Sequence, residues 1–409
     1  RYSHIPVCHN LPESSKRCSQ KLKQGKEECE DRDMTEFGLK TTVHFGQAPL
    51  SYLDTLKAQK IFIVTDPFMV ESKMADRITE RLTGKEVSIF SNVVPDPPME
   101  LVVQGVNEVI AFRPDLLIAL GGGSAIDEAK AIMQFSRKIG DLPDMDFIAV
   151  PTTSGTGSEV TSFAVITDRE KGRKYPLVAP ELLPDVAILD SDLVKSVPPG
   201  IVADTGIDVL THALEAYVSQ KANFFTDAFA EKAVLTVFQY LLRSFESKED
   251  TEAREQMHYA SCMAGMAFDQ TSLGVNHGIA HNIGGRFKVP HGRANGILLP
   301  HIVEYNADLK DYQQKEYCLA ARKYARLAEL LGIGGVNVRT GVRNLISHIR
   351  KLEKALKMPQ GFHDCKIAQA DYQKEEETIA AGALADGCTA TNPRPVTRAD
   401  VIKILRQAW

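Results

Sequence analysis

The sequence contains no apolar run near the ~18 residues that a membrane-spanning helix needs, and its first thirty residues are too polar for the apolar stretch of a signal peptide. These absences point to a soluble chain that stays in the cytoplasm, with no membrane partner. Neither sign of charge is in excess: 48 Lys+Arg stand against 53 Asp+Glu, a formal charge of −5. That argues against the basic face with which proteins grip nucleic-acid phosphates. The seven cysteines, at 8, 18, 29, 262, 318, 365 and 388, form no CxxC pair. Neither a disulfide framework nor a thiolate metal site is suggested, and a reducing compartment fits. The GxGxxG dinucleotide fingerprint is missing as well, as are internal repeats and low-complexity tracts.

What is present is an ordinary globular composition, 44% apolar and 25% charged over 409 residues, enough for two or three domains. Residues 1–36 are dense in charge of both signs without apolar periodicity and read as a poorly ordered tail, native or processed, whose one candidate role is targeting. From Leu39 short β-branched runs alternate with amphipathic ones, as in a parallel sheet covered by helices. Strands are expected at Lys60–Asp66, Glu86–Val93, Asp115–Leu120, Asp146–Val150 and Asp185–Leu189, with helices at Phe68–Leu82, Met99–Phe112 and Ser124–Phe135. Pro198-Pro199-Gly200 then interrupts the chain, and beyond it only helical periodicity remains, at Val202–Val218, Phe225–Leu242, Ala253–Phe268, Tyr317–Leu331 and Val342–Ala355. The expected organisation is an α/β domain over 37–198 and an all-α domain over 199–409.

Three segments offer cofactor chemistry. Gly121-Gly122-Gly123-Ser124 lies between an apolar strand and a helix, where bare amides and the helix N-terminus can meet a phosphate. A tight turn capped by Ser124 is the simpler alternative. Asp66 ends a strand ahead of the glycines and can hold ribose hydroxyls while repelling a 2′-phosphate; followed by Pro67, it is equally a helix N-cap. The small-residue loop from Pro151 through Thr152, Thr153 and Ser154 to Glu159 follows the next strand, so that two such loops suggest a ligand crevice rather than two polar turns.

The histidines carry a sharper signal. Asp208 and His212 lie four apart in a helical segment, His277 and His281 repeat that spacing, and His291 follows in a PHG frame. Imidazoles and a carboxylate without cysteine suit a divalent metal of the Fe(II) or Zn(II) class. The other histidines, at 4, 9, 44, 258, 301, 348 and 363, show no such pattern and are expected at the surface or in packing.

GGGSAIDEAKAI, PTTSGTGSEVTSFAVITD, KYPLVAPELLPDVAILD, TGIDVLTHALEAY and NHGIAHNIGGRFKVPHGRAN, in this order, resemble the iron-containing (group III) alcohol dehydrogenase family from about Leu39 to the C-terminus. With TNPRPVTRADVIKIL, the pattern is most similar to the family's 1-propanol dehydrogenases of propanediol-utilising bacterial microcompartments, and to the ethanol dehydrogenase of ethanolamine utilisation. The resemblance implies a dehydroquinate synthase-like fold with the active site in a cleft between the two domains. It further implies Fe(2+), or Zn(2+), on Asp208, His212, His277 and His291, with His281 facing substrate and nicotinamide. For NAD(H) it implies Asp66, Gly122, Gly123, Ser124, Asp127, Thr152, Thr153 and Lys174, and Asp96 at a position where many relatives carry asparagine. Phe163 and Phe268 are candidates for the apolar substrate wall. A homodimer or larger assembly, with microcompartment shell or lumen enzymes as partners, follows from the same resemblance.

The expected reaction is reversible transfer of a hydride between a short-chain primary alcohol and nicotinamide C4, in the direction of propanal reduction, with a metal lowering the pKa of the alcohol oxygen. His281 is placed as proton relay, or alternatively as a fixed hydrogen-bonding neighbour of the ligands. Ethanol, butanol or 1,3-propanediol are alternative substrates. A metal hydrolase would leave both small-residue loops unused and lacks HExxH, a dioxygen-activating iron enzyme would want two histidines and one carboxylate, and a dehydroquinate synthase-type lyase would want a basic phosphate pocket.

Overall fold

The computed structural model describes residues 36–140, 142, 144–168 and 173–409; the expected tail lies almost wholly outside them. The strands are β1 (Thr42–Phe45), β2 (Lys60–Thr65), β3 (Glu86–Phe90), β4 (Leu116–Gly121), β5 (Asp146–Pro151), β6 (Phe163–Asp168), β7 (Arg173–Val178) and β8 (Val186–Leu189). The sheet order is β1-β8-β5-β4-β2-β3, with every pairing parallel, and β6 and β7 form a separate antiparallel hairpin. Between the strands run α1 (Pro67–Glu71), α2 (Asp76–Thr79), α3 (Met99–Phe112) and α4 (Gly123–Ile139).

Both faces of the sheet are buried, as parallel sheets require. Phe62, Val64, Leu117 and Ala119 face Val106, Val109, Ile126 and Ile132 of α3 and α4. Ile61, Ile63, Ile118 and Ile148, one residue out of phase, pack with Leu53, Ile78 and Leu82 on the opposite side. From β2 the chain moves outward to β3 and then crosses back to β4, so the order reverses between β2 and β4. The crevice beyond the carboxyl ends of two such strands is where open α/β sheets bind ligands.

After Leu189 no strand occurs among the described residues. The helices are α5 (Pro199–Val218), α6 (Phe224–Glu246), α7 (Thr251–Thr271), α8 (Val275–Phe287), α9 (His291–Ala307), α10 (Leu319–Leu330), α11 (Val338–Ala355), α12 (Gln369–Ala385) and α13 (Arg398–Gln407). Pro199 opens α5 at its first turn, where a missing N–H costs nothing. Every residue of α5 from Gly206 to Val218 is buried, making it the central helix of this part.

Several elements differ from expectation. The helix expected over 68–82 is broken: Lys73 takes φ +60°, and the chain resumes as α2 and a 3-10 turn. A straight helix could not turn Met69, Ala75, Ile78 and Leu82 together toward the sheet, and all four are buried there. Strand β1, the β6–β7 hairpin, and helices α8, α9, α12 and α13 were not signalled by periodicity. None of the described helices is long and apolar enough to cross a membrane.

One contact ties the sheet's loops to the helices. Gly157, with φ +63°, follows β5, and a Cβ built on it would stand 2.7 Å from the Gly265 Cα in α7. The left-handed conformation costs an L-residue about 1–2 kcal/mol, and overpacking typically adds about 1–3 kcal/mol. Gly157→Ala should therefore lower the thermal midpoint by several degrees in a calorimetric melt; an unchanged midpoint would show this contact to be loose.

Candidate active site

A cleft of about 2700 Å³ runs between the carboxyl ends of the strands and the helices, larger than the ~300–1,000 Å³ usual for a single small ligand. The sheet side contributes Asp66, Asp96, Gly122, Gly123, Ser124, Asp127, Thr152, Thr153 and Phe163, and the helical side contributes Asp208, His212, Phe268, His277, His281 and His291. The side chain of Lys174 lies outside the described residues, although β7 pairs Lys174 with Thr167.

Asp66 leaves β2 at the reversal point and Gly121–Gly123 leave β4 beside it, because Thr65 is in register with Leu120. A Cβ at Gly121, where φ is +151°, would come 3.4 Å from Asp66 Oδ2 and 2.6 Å from the Ala125 Cβ. Asp66 does cap α1, accepting from the Met69 N–H at 3.1 Å, while its other oxygen lies toward the glycine turn. Burial raises its carboxyl above the usual value and the Met69 and Phe68 amides offset part of this.

Gly122 is the N-cap of α4 and no side chain caps that helix, so Ser124 does not close the turn. The unpaired first-turn amides are left for a ligand. Thr153 packs over Gly122 and Thr156 over Gly123, at 3.3 and 2.6 Å from where a Cβ would stand. Thr152 N–H donates to Gly121 O at 2.9 Å, locking the two loops together. Asp127 accepts from Ser158 Oγ at 2.5 Å and from Val165 N–H at 3.0 Å. Its carboxylate thus braces the loop and β6 from the cleft wall. Asp96 sits on the loop after β3 with φ +55°.

On the helical side, α5 presents Asp208 and His212 one turn apart, α8 presents His277, and His291 is the first residue of α9, directly after Pro290. Their ligand atoms all lie within 4.8 Å of one another. Asp208 oxygens stand 3.9 Å from His212 Nε2 and 3.7 Å from both His277 Nε2 and His291 Nε2. Metal–ligand bonds of ~2.0–2.2 Å place tetrahedral ligands roughly 3.3–3.6 Å apart, so small adjustments close these four around one ion. Three imidazoles and one carboxylate match Fe(II) or Zn(II) rather than a hard, oxygen-seeking ion. Burial would lift the Asp208 carboxyl, but the imidazoles of His212, His291 and His277 draw it well below the usual carboxylate range. Burial holds His212 down at about 4. The fourfold set therefore fits a divalent cation in chemistry and in spacing.

His281 projects from α8 beside the set, its ring stacked on that of His291 at 5.3 Å, and its Nδ1 is 2.9 Å from Asp386 Oδ2. Gly278 permits this approach: a Cβ there would strike Thr389 Oγ1 in the turn that follows Asp386. Phe268 lies 4.6 Å from the His212 ring and 6.4 Å from Phe163, ring centre to ring centre, so the apolar wall abuts the ligand set.

Sequence reasoning missed several neighbours. Glu215 accepts from His277 Nδ1 and from the Asn276 N–H, the latter at 2.8 Å. Asn295 Nδ2 donates to Asp208 Oδ1 at 2.6 Å, and Asn276 Nδ2 donates to Asn295 Oδ1 at 2.8 Å. Lys130, fully buried, donates to the carbonyls of Thr161 and Phe163, both at 2.7 Å, fixing the start of β6. Glu215 falls three residues after His212 on the same helix, a spacing that could have drawn notice; Asn295, Asp386 and Lys130 left no local signal.

Against this geometry, known families give a consistent answer. The iron-containing alcohol dehydrogenase family matches residues 40–191, and the C-terminal part of the Fe-containing family matches residues 202–409. The chain belongs to the iron-containing alcohol dehydrogenases. It is similar to the 1-propanol dehydrogenase PduQ of Citrobacter freundii, 44% identical over 91% of this chain and 100% of that protein. It also resembles the NADPH-dependent butanol dehydrogenase of Clostridium saccharobutylicum, 36% identical over 91% of this chain and 97% of that one. Among solved structures, a 1,3-propanediol oxidoreductase superposes with a TM-score of 0.84 at 34% identity, covering 92% of this chain and 100% of the other. As an iron-containing alcohol dehydrogenase the protein is an oxidoreductase that interconverts alcohols and aldehydes with iron and NAD(H), and the cleft holds groups suited to each.

The glycine turn offers a direct check on the dinucleotide side. Gly123→Ala would drive a methyl group into Thr156 at the first turn of α4. NADH affinity by fluorescence titration should fall by about tenfold or more, equivalent to roughly 1.4 kcal/mol, while bound metal is unchanged. Wild-type affinity would place the cofactor's phosphates elsewhere.

Proposed function

We propose that this alcohol dehydrogenase reduces propanal to 1-propanol with NADH, through the following division of labour. The observation that carries the reading is the juxtaposition, in one cleft, of the Asp208–His212–His277–His291 cluster with an apolar wall at Phe268 and an uncapped glycine turn at Gly122–Ser124. Residues 37–198 form the dinucleotide-binding part and 199–409 the metal-binding part. Asp208, His212, His277 and His291 hold the iron. When bound, iron acts as a Lewis acid on the substrate oxygen and the nicotinamide exchanges the hydride.

The chain's own residues do the rest. The α4 amides at Gly123 and Ser124 hold the pyrophosphate, with Thr152 and Thr153 along the cofactor and Asp96 and Lys174 at its flanks. Asp66 accepts from the ribose hydroxyls. Phe163 and Phe268 exclude water and favour an unbranched carbon chain, since neither offers a hydrogen bond to a second hydroxyl. His281, its Nδ1 held by Asp386, keeps Nε2 available to exchange the hydroxyl proton with solvent. The assembly is a homodimer or larger, in the cytoplasm and inside a bacterial microcompartment. The reading extends to the 1-36 segment, which would serve in targeting and not in catalysis.

NADH oxidation with a panel of C2 to C5 aldehydes on iron-loaded protein tests this directly. Propanal should give the highest kcat/KM, and lactaldehyde about a tenth or less; equal rates for the two would reveal a polar group in the wall. His277→Ala should lose the metal yet still bind NADH, whereas His281→Ala should keep the metal and turn over more slowly. The assignment is wrong if His281→Ala loses the metal and His277→Ala retains it.

Cofactor choice depends on Asp66. An NADP phosphate carrying about −1.5 to −2 charge would lie against its carboxylate. Asp66→Gly should lower the ratio of kcat/KM for NAD over NADP. If only the melting temperature falls and the ratio stays, Asp66 is a helix cap alone.

A further inference from the structure

Glu215 is buried within α5, one turn beyond His212, and is engaged by α8 on both carboxylate oxygens. Oε2 meets His277 Nδ1, and Oε1 accepts the Asn276 N–H at 2.8 Å. Space for this carboxylate exists because residue 274 is glycine: a Cβ there would lie 2.7 Å from Glu215 Oε1. Gly274 has φ −148°, extended backbone open to any residue, so the glycine serves room rather than conformation.

We infer that Glu215 is a positioning residue that fixes the tautomer and aim of His277, and thereby the retention of the metal. With Nδ1–H donated to Glu215, Nε2 is left as the acceptor, 3.0 Å from Asn295 Nδ2 and 3.7 Å from an Asp208 oxygen. A neutral acceptor would leave the ring free to rotate or to adopt the opposite tautomer. The second bond, to Asn276, anchors the carboxylate to the backbone that carries His277, so the acid and the imidazole move as one body. Glu215 adds a second buried carboxylate to the set, reached through His277. Carboxylates that orient metal-ligating imidazoles are worth roughly ten- to a hundredfold in metal affinity. The inference rests on the reading of His277 as a metal ligand.

Two substitutions separate this role from general packing. In Glu215→Gln the amide can accept from His277 Nδ1–H or from the Asn276 N–H but not both, because its other terminus is a donor. Gly274→Ala leaves the carboxylate intact and displaces it. Zn(II) loss to a chelator should be about 10–100-fold faster or the affinity that much weaker in both. NADH affinity should be unchanged in both, and the His277 Nδ1 proton resonance should shift or vanish in ¹⁵N–¹H spectra. Wild-type zinc retention in both variants overturns the inference, and so does parallel loss of zinc and NADH binding, which would mark collapse of the fold. His277→Ala distinguishes the two levels: if it keeps zinc, the ligand reading fails, and if it loses zinc while both variants keep it, only the role of Glu215 fails.

Discussion

A carboxylate taken out of water must be matched by positive charge or by several donors, and Asp208 sets this constraint on the whole helical part. It is 4% exposed, on the central helix, with three imidazoles closing around it. Bringing α8 and the first residue of α9 onto α5 places these groups within a few ångströms of one another, and that convergence organises the packing around it. Gly292 lies against the carbonyl of Asp204, so α9 starts in near backbone contact with α5. Asn295, one turn further, hands a donor to Asp208. The balance of such a cluster changes sign with a divalent cation: without one it is a buried anion among competing lone pairs, and with one the same atoms become a ligand set.

The sheet imposes the complementary constraint. Strand order reverses between β2 and β4, so the turns after them splay apart and leave backbone amides facing a crevice. Asp66 and the glycines meet there by register, and the Thr152–Ser158 loop closes over them through Thr152 N–H and the Gly157–Gly265 contact. Lys130 and Asp127 are spent on the loop and on β6, which carries Phe163. The loop and the start of β6 are consequently braced together by two side chains of α4. A change at Lys130 would be felt both in the loop and at the start of β6.

Much of this was legible in the sequence where a single element carries the signal. Asp208 and His212 share a helix face by spacing alone, and the apolar runs at 60–65 and 116–121 are strands buried on both faces. Legibility fails where the structure depends on distant pairing. Strand β1 is four residues long and exists because β8, more than a hundred residues later, offers an edge. Helices α8 and α9 are glycine-rich at Gly278, Gly284, Gly285, Gly292 and Gly296, which hides their period while allowing close approach. Asp386 and Asn295 are ordinary polar residues until the fold brings them to His281 and Asp208. Asp127, read with the phosphate loop by its motif, also braces Ser158 and Val165, a pairing no local pattern shows.

The central claim is that the Asp208 cluster is built for one divalent ion and that the helical part depends on it. Anaerobic calorimetric titration of chelator-stripped protein with Fe(II) or Zn(II), followed by a thermal melt at each ratio, tests it most directly. The account predicts saturation at one ion per chain and a rise in the melting midpoint that levels off at the same ratio. Absence of binding, or binding that leaves the midpoint where it was, would contradict it.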